Sequence, residues 1–273
     1  MRLPKLAFPG GGAEAAAISD PAPHRRRLPA VFIAAALAVA AVAGCSSPAQ
    51  VNTQGARILH VTIDSRFVHG AMPLTLVTPA GGGAHRPLLV FLHGLNYDNN
   101  SQLTDQMFAA LHALGPHAPD IAFPYGDSSY WVNSADGAWA SYVLDEVIPK
   151  ALTVLNADPR RVAIGGISMG GYGAYTIARL DPGRFCAVGG HSAAIDPGFD
   201  VIAAATANPE LYGHAQLWLD GGDQDPLHAA DEQLASALHI PLHVWPGGHD
   251  FTYWNAHWSD YLSFYAHALA TCA

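Results

Sequence analysis

The sequence predicts an α/β domain, with a mostly parallel central sheet and helices on both of its faces. Two observations carry this reading. From residue 57 onward, short apolar runs alternate with amphipathic segments, the pattern of strands joined by helical crossovers. The run Pro87-Leu88-Leu89-Val90-Phe91-Leu92 is apolar without alternation, as expected of a strand covered on both faces. The length, 273 residues, fits one large domain of this class, which often runs to roughly 250 residues, and allows a sizeable core without a disulfide framework.

The elements follow in order. Residues 58–64 and 67–77 read as two leading strands joined by a short turn, with a glycine loop at 80–83. The apolar strand occupies 87–92. Leu103, Met107, Ala110, Leu111 and Leu114 recur at helical spacing over 102–114. Residues 121–123 form a short strand leading into Pro124-Tyr125-Gly126. A helix over 138–155 carries the stripe Leu144, Ile148, Leu152 and Leu155, with a kink expected near Pro149. Strand 161–165 precedes helix 169–180, which Asp181-Pro182-Gly183 stops. Further strands are read at 185–189, 215–219 and 240–245, and further helices at 227–238 and 253–270. Crossovers in such a sheet are right-handed. Only residues 192–214 separate two of the late strands, too few for a large cap domain, so an open site is expected.

The N-terminus has a different character. His24-Arg25-Arg26-Arg27 precedes an apolar run over 28–43 and then Gly44-Cys45-Ser46-Ser47. A basic region, an apolar stretch and small residues before a cut site make a secretory signal. The apolar run falls short of the roughly 20 residues of a membrane span. Val42-Ala43-Gly44-Cys45 matches a bacterial lipobox, in which cleavage leaves Cys45 as a lipidated first residue. The expected organisation is a signal peptide over 1–44, a solvated tether over 45–56 and a catalytic domain over 57–273. The product would be exported and lipid-anchored on the extracytoplasmic side of the cell membrane. The formal net charge of the chain is −9. Five of the 13 basic residues lie before Cys45, against two of the 22 acidic ones. The remaining domain is clearly acidic, which argues against nucleic acid as a partner. Cys186 lies in an apolar run and reads as a small buried hydrophobe. Its pairing with Cys272 is left open, because sequence does not show whether the two approach.

The chemistry centres on Gly166-Ile167-Ser168-Met169-Gly170. This G-x-S-x-G follows a strand and opens a helix, the context a nucleophile elbow requires. It would present Ser168 at the C-terminal edge of the sheet, with the Met169 N–H at the helix start as an oxyanion donor. A seryl nucleophile needs a base and an orienting acid, expected in the order Ser, Asp or Glu, His. Asp220, Asp223 and Asp225 follow the strand at 215–219. Asp225 is the first choice because it lies well beyond the strand end; Asp223 is the alternative, and Asp220 belongs to the strand end itself. His249, in Pro246-Gly247-Gly248-His249-Asp250 after the next strand, is the expected base. The loop His93-Gly94-Leu95-Asn96 follows the apolar strand and supplies the Leu95 N–H as second oxyanion donor. His93, Asn96, Trp131 and Ser192 are candidates for the substrate pocket, although packing is an equal reading for Trp131, and a structural or pocket-wall role fits His93. No H-E-x-x-H or paired-cysteine spacing occurs, so no metal or other cofactor is expected.

Together, GISMGGYGA at 165–174, FLHGL at 91–95 and PGGHDFTYWNAHW at 246–258 resemble the putative-esterase branch of the α/β-hydrolases. That branch includes S-formylglutathione hydrolase, feruloyl and acetyl-xylan esterases, and the antigen 85 mycolyltransferases. The segment FCAVGGHSAAIDP at 185–197 also resembles antigen 85. The resemblance covers nearly all of 87–269. It implies an α/β-hydrolase fold, Ser168 as nucleophile, a late acid here read as Asp225, His249 as base, and Leu95 and Met169 amides as the oxyanion hole. Antigen 85 carries an aspartate and an arginine around its oxyanion leucine; His93 and Asn96 stand there in this chain. The expected activity is hydrolysis of small-molecule carboxylic esters, short-chain or on an acylated carbohydrate. The alternatives are acyl transfer to a sugar, or a non-catalytic surface-binding protein on the same fold.

Overall fold

The central sheet has eight strands in the order β1-β2-β4-β3-β7-β8-β9-β10. They are β1 (Arg57–Ser65), β2 (Gly70–Thr78), β3 (Leu88–Leu92), β4 (Asp120–Pro124), β7 (Val162–Ile167), β8 (Ala187–His191), β9 (Gln216–Gly222) and β10 (Leu242–Trp245). A small separate ribbon pairs β5 (Asn133–Ser134) with β6 (Gly137–Ala138). Only β2 runs against the other strands of the large sheet. The computed structural model describes residues 50–195 and 200–272. The signal segment, Cys45 and the first part of the tether lie outside the described residues, as do Asp196 and Pro197. The described end of the tether is not wholly solvated, because the Asn52 N–H donates to Asp105 Oδ1 at 2.7 Å.

The period-2 geometry of each strand sends alternate side chains to opposite faces. In β3, Leu88, Val90 and Leu92 enter one core and Leu89 and Phe91 the other. The first core is closed by α2 (Trp139–Tyr142), α3 (Ile148–Leu155), α4 (Met169–Ala178), α5 (Asp200–Ala207) and α6 (His228–Ala237). The second is closed by α1 (Asp105–Ala113), α7 (Phe251–Ala256) and α8 (Trp258–Thr271). Both faces are therefore dry, which is why β3, β4 and β7 are buried along their whole length.

Four features go beyond the sequence reading. The kink near Pro149 is a π turn over Val143–Val147 that links α2 to α3; the wider turn absorbs the clash and the missing N–H of a helical proline. The helix expected over 253–270 is two helices, broken at His257. There the ring stacks on Trp245 (4.3 Å) and Nδ1 lies 3.1 Å from Asp260 Oδ2, so side-chain docking overrides helix continuity. An alanine-rich helix, α5, occupies part of the short 192–214 connection. Finally, Cys186 and Cys272 form a disulfide, with Cα atoms 5.6 Å apart. It staples the start of β8 to the end of α8 at the edge of the sheet remote from the strand C-termini. In the loop-entropy account, closing a loop this long is worth about 4.6 kcal/mol.

Asp120 opens β4 and is buried, with Oδ1 unpartnered. Burial pushes its pKa up to about 6, against the opposing pull of Thr78, Arg86 and Arg57. The native state therefore holds a proton that the unfolded chain has already released, and stability falls as pH rises from about 4 to about 6. Asp120→Asn should raise the unfolding free energy at pH 7 by about 1–3 kcal/mol and flatten that slope. Urea denaturation of variant and parent between pH 4 and 8 checks both.

Candidate active site

Ser168 sits between the last residue of β7 and the first of α4, with φ 54° and ψ −116°. Such a conformation strains a residue that carries a side chain, and it is held by backbone bonds on every side. The Ser168 N–H donates to the His191 carbonyl (2.9 Å), and its carbonyl accepts from Tyr172 (3.1 Å) and Ala194 (2.9 Å). The turn also needs glycine at 170, because a Cβ there would collide with the Leu92 carbonyl at the end of β3. The seryl side chain is thereby thrust out at the C-terminal edge, and the residue keeps only 8 % exposure.

His249 reaches this serine from the loop after β10. Its Nε2 lies 2.8 Å from Ser168 Oγ, and its Nδ1 lies 3.0 Å from Asp225 Oδ2. A carboxylate can only accept, so Nδ1 carries the proton and Nε2 accepts the seryl O–H. Asp225 follows β9, and its Oδ1 accepts from the Leu227 N–H at 2.8 Å. Burial raises the Asp225 pKa, but the hydrogen bonds from His249 and Leu227, the His249 charge and the nearby Ser192 hydroxyl together bring it below the usual carboxylate value. Ser192 Oγ is buried beside this carboxylate without completing a hydrogen bond of good geometry. Asp223 is used differently: its Oδ1 accepts from Gly247 N–H (3.0 Å) and tethers the base loop.

The loop after β3 runs along the elbow. A methyl on Gly94 would lie 3.4 Å from Ser168 Cβ and 3.1 Å from Tyr97 Cδ2, so the serine and the Tyr97 ring face one point. The Leu95 N–H has no acceptor among the described residues. Met169 is the first residue of α4, where an amide has no intrahelical partner. Of these two amides, Met169 directly follows the serine in the chain, and Leu95 follows Gly94, whose added methyl would touch Ser168 Cβ.

His93 is buried and holds this loop. Its Nδ1–H donates to the Gly94 carbonyl (2.8 Å), and Nε2 accepts from the Gly126 N–H (2.9 Å). Burial lowers its pKa despite the Gly94 carbonyl and the charges of Asp98 and Asp127, so it is a neutral brace between the β3 and β4 loops. Trp131 is 0 % exposed. Its indole N–H donates to the His93 carbonyl at 3.2 Å, and its ring fills the space over Gly126 and Gly173. Of the pocket candidates, His93 and Trp131 take the structural and packing roles that the sequence reading left open, and Ser192, fully buried, does not line an open pocket. Asn96 is exposed and lines an open polar cleft of about 470 Å³ with Tyr97, Asp98, Ser101, Tyr125 and Asp127.

Sequence reasoning missed a second buried His–Asp pair. Asp220 Oδ1 lies 2.6 Å from His191 Nδ1 and accepts from Trp218 Nε1–H at 2.8 Å; Oδ2 accepts the phenols of Tyr253 (3.0 Å) and Tyr261 (3.1 Å). Tyr265 OH lies 2.9 Å from His191 Nε2. These residues are scattered over β8, β9, α7 and α8, and only the end positions of His191 and Asp220 on neighbouring strands hinted at them. Asp231, in α6, is also buried, with both carboxyl oxygens unpartnered. Burial first, then the charges of Asp225 and Asp220, raise its pKa well above the usual value, against the opposing pull of the Ala193 backbone.

The strand order and the site at the C-terminal edge are those of the α/β-hydrolases. A family model described as Putative esterase matches residues 67–265, and the chain belongs to that family. It is 27% identical over 160 residues to the diacylglycerol acyltransferase/mycolyltransferase Ag85A of Mycobacterium leprae, covering 53% of this chain and 48% of that protein. It is 27% identical over 141 residues to the S-formylglutathione hydrolase of Rattus norvegicus, covering 44% and 50%. The chain thus spans about half the length of the curated relatives it matches. Its fold superposes on that of a ferulic acid esterase with a TM-score of 0.68 at 20% identity, covering 78% of this chain and 98% of that one. The relatives it matches thus include both a hydrolase and an acyltransferase.

Removing the His93 imidazole leaves the buried Gly126 N–H without an acceptor and opens a cavity beside Trp131. His93→Ala should lower the unfolding free energy by about 2–4 kcal/mol, read by urea denaturation.

Proposed function

We propose that this protein is a serine esterase that hydrolyses carboxylic esters through an acyl-enzyme, with Ser168 as nucleophile, His249 as base and Asp225 as orienting acid. The observation that carries the reading is the unbroken chain Ser168 Oγ–His249–Asp225 at 2.8 and 3.0 Å. His249 Nε2 takes the seryl proton as Oγ bonds to the ester carbonyl carbon. The Leu95 and Met169 amides receive the developing oxyanion, each donor worth roughly 3 kcal/mol of barrier. His249 then protonates the leaving alcohol as the ester C–O bond breaks. Water repeats the sequence in reverse: it gives a proton to His249 and its oxygen to the acyl carbon, and Ser168 leaves with the proton. Asp225 holds the imidazole tautomer throughout.

The substrate class is a short-chain ester or an acylated carbohydrate. The cleft beside Asn96, rich in hydroxyl, amide and carboxylate groups, supports a polar alcohol portion. The same cleft, with the similarity to Ag85A, favours a second reading, in which a sugar hydroxyl replaces water in the second half-reaction. Export and lipidation at Cys45 complete the proposal. They are supported by the basic and apolar N-terminal segment and by the Cys186–Cys272 disulfide, which suits an oxidising compartment.

Hydrolysis of p-nitrophenyl esters of graded chain length tests the mechanism. Ser168→Ala should lower kcat by at least about a thousandfold, and Asp225→Asn should fall far below Asp223→Asn; activity surviving in Ser168→Ala sinks the assignment. Acyl transfer to a sugar outpacing hydrolysis would favour the second reading. In expressing cells, Cys45→Ala should move the protein from the membrane fraction to the soluble fraction, and unchanged retention would count against the anchor.

A further inference from the structure

We propose that Tyr253, locked by Asp220, is a positioning residue for His249. The inference rests on reading His249 as the catalytic base. His249 itself has one hydrogen bond on each ring nitrogen, to Ser168 and Asp225, and its loop contains two consecutive glycines, Gly247 and Gly248. Such a loop needs an external template to hold a base in register.

Tyr253 touches that loop on both sides of the histidine. On the N-terminal side, Gly247 adopts φ 148°, and a Cβ there would lie 2.7 Å from Tyr253 Cδ2, so the glycine backbone lies directly on the tyrosine ring. On the C-terminal side, Asp250 follows His249 and caps α7, and its Oδ1 accepts from the Tyr253 N–H at 3.0 Å. The ring and the backbone of one residue thus bracket the base.

The phenol fixes Tyr253 in turn. Its O–H donates to Asp220 Oδ2 at 3.0 Å, and Asp220 is itself saturated by His191, Trp218 and Tyr261. This anchor stands on β8, the neighbour of the strand that ends at Ser168, and on β9, the strand that leads to Asp225. The His191 carbonyl accepts the Ser168 N–H, and the Asp220 carbonyl accepts the Ser192 N–H at 2.8 Å, beside Asp225. Base, nucleophile and acid are therefore referred to one buried pair, and the Tyr253 phenol is the link to the base.

Tyr261 supplies a matched control. Its phenol donates to the same oxygen at 3.1 Å, but it lies in α8, beyond the base loop. Tyr253→Phe and Tyr261→Phe each delete one hydroxyl from the same carboxylate, so a purely structural role predicts equal effects on activity. The measurement is kcat and KM on a p-nitrophenyl ester, normalised to active sites titrated with a fluorophosphonate. Normalisation removes any unfolded fraction from the comparison. Tyr253→Phe should lower kcat about tenfold, the order expected for a base displaced by a fraction of an ångström, with KM within about twofold; Tyr261→Phe should leave kcat within about twofold. Equal kcat losses in the two variants, an effect confined to KM, or an unaffected Tyr253→Phe would overturn the inference. Ser168→Ala separates the two levels: if it retains activity, the proposed mechanism fails; if it is inactive while the tyrosine variants match, only the positioning role fails.

Discussion

The backbone at Ser168 is the constraint on which the rest of the structure depends. A residue with a side chain is held at φ 54° and ψ −116°, a conformation that costs on the order of 1–3 kcal/mol. It persists because three neighbours bond its amide and carbonyl and because β3 ends hard against Gly170. Those neighbours are the ends of β3 and β8, the first turn of α4 and the chain after His191. Loosening any of them would let the serine relax into the surface. The strand order that puts β7 between β3 and β8 is thus also what holds the turn.

The same strand ends carry a sharp division between dry and accessible polar chemistry. His191 and Asp220 are sealed among Phe91, Tyr253, Tyr261 and Tyr265, with every available polar atom matched. His249 and Asp225 form a pair of the same composition, but the imidazole side chain retains 24% exposure and faces a hydroxyl. Full burial makes the first pair a rigid anchor, since breaking any of its bonds would strand a polar group in the core. The second pair is only partly exposed and turns its Nε2 toward the Ser168 hydroxyl, the arrangement on which the proposed proton transfer rests. Two histidine–aspartate pairs, one on neighbouring strand ends and one on the loops beyond them, therefore differ in depth.

The bracing of the β3 loop follows a similar logic. His93 and Trp131 do not face a substrate; they fill the space behind the loop and satisfy its amide and carbonyl groups. The free amides of Leu95 and Met169 are then presented by rigid backbone, while the variable, solvated side chains from Asn96 to Ser101 and around Tyr125 and Asp127 form the open cleft. Preorganised donors and an adjustable polar rim are kept on separate residues.

The apolar runs were sufficient to read all eight strands of the large sheet: the inner strands are buried on both faces and leave a continuous apolar imprint, while the edge strands β1 and β10 are only partly covered. The Ser168 motif was legible for a related reason: its glycines are demanded by contacts at that very turn. Local pattern placed the Pro149 distortion but not its π-turn form, and it could not disclose the docking of Trp245 that breaks the helix at His257 or the Cys186–Cys272 disulfide, which need partners elsewhere in the chain. Sequence left the roles of His93 and Trp131 open and placed Ser192 in the pocket, since a polar or aromatic residue in a loop looks the same in sequence whether it lines a cleft or packs behind one. By itself the sequence determined the strand and helix alternation, the elbow and the order of Ser168, Asp225 and His249. Only the tertiary structure decided that these three side chains meet, that Asp223 turns instead to Gly247, and that Asp220 finds His191. Those outcomes depend on distances between loops that neighbour one another only once the sheet has formed.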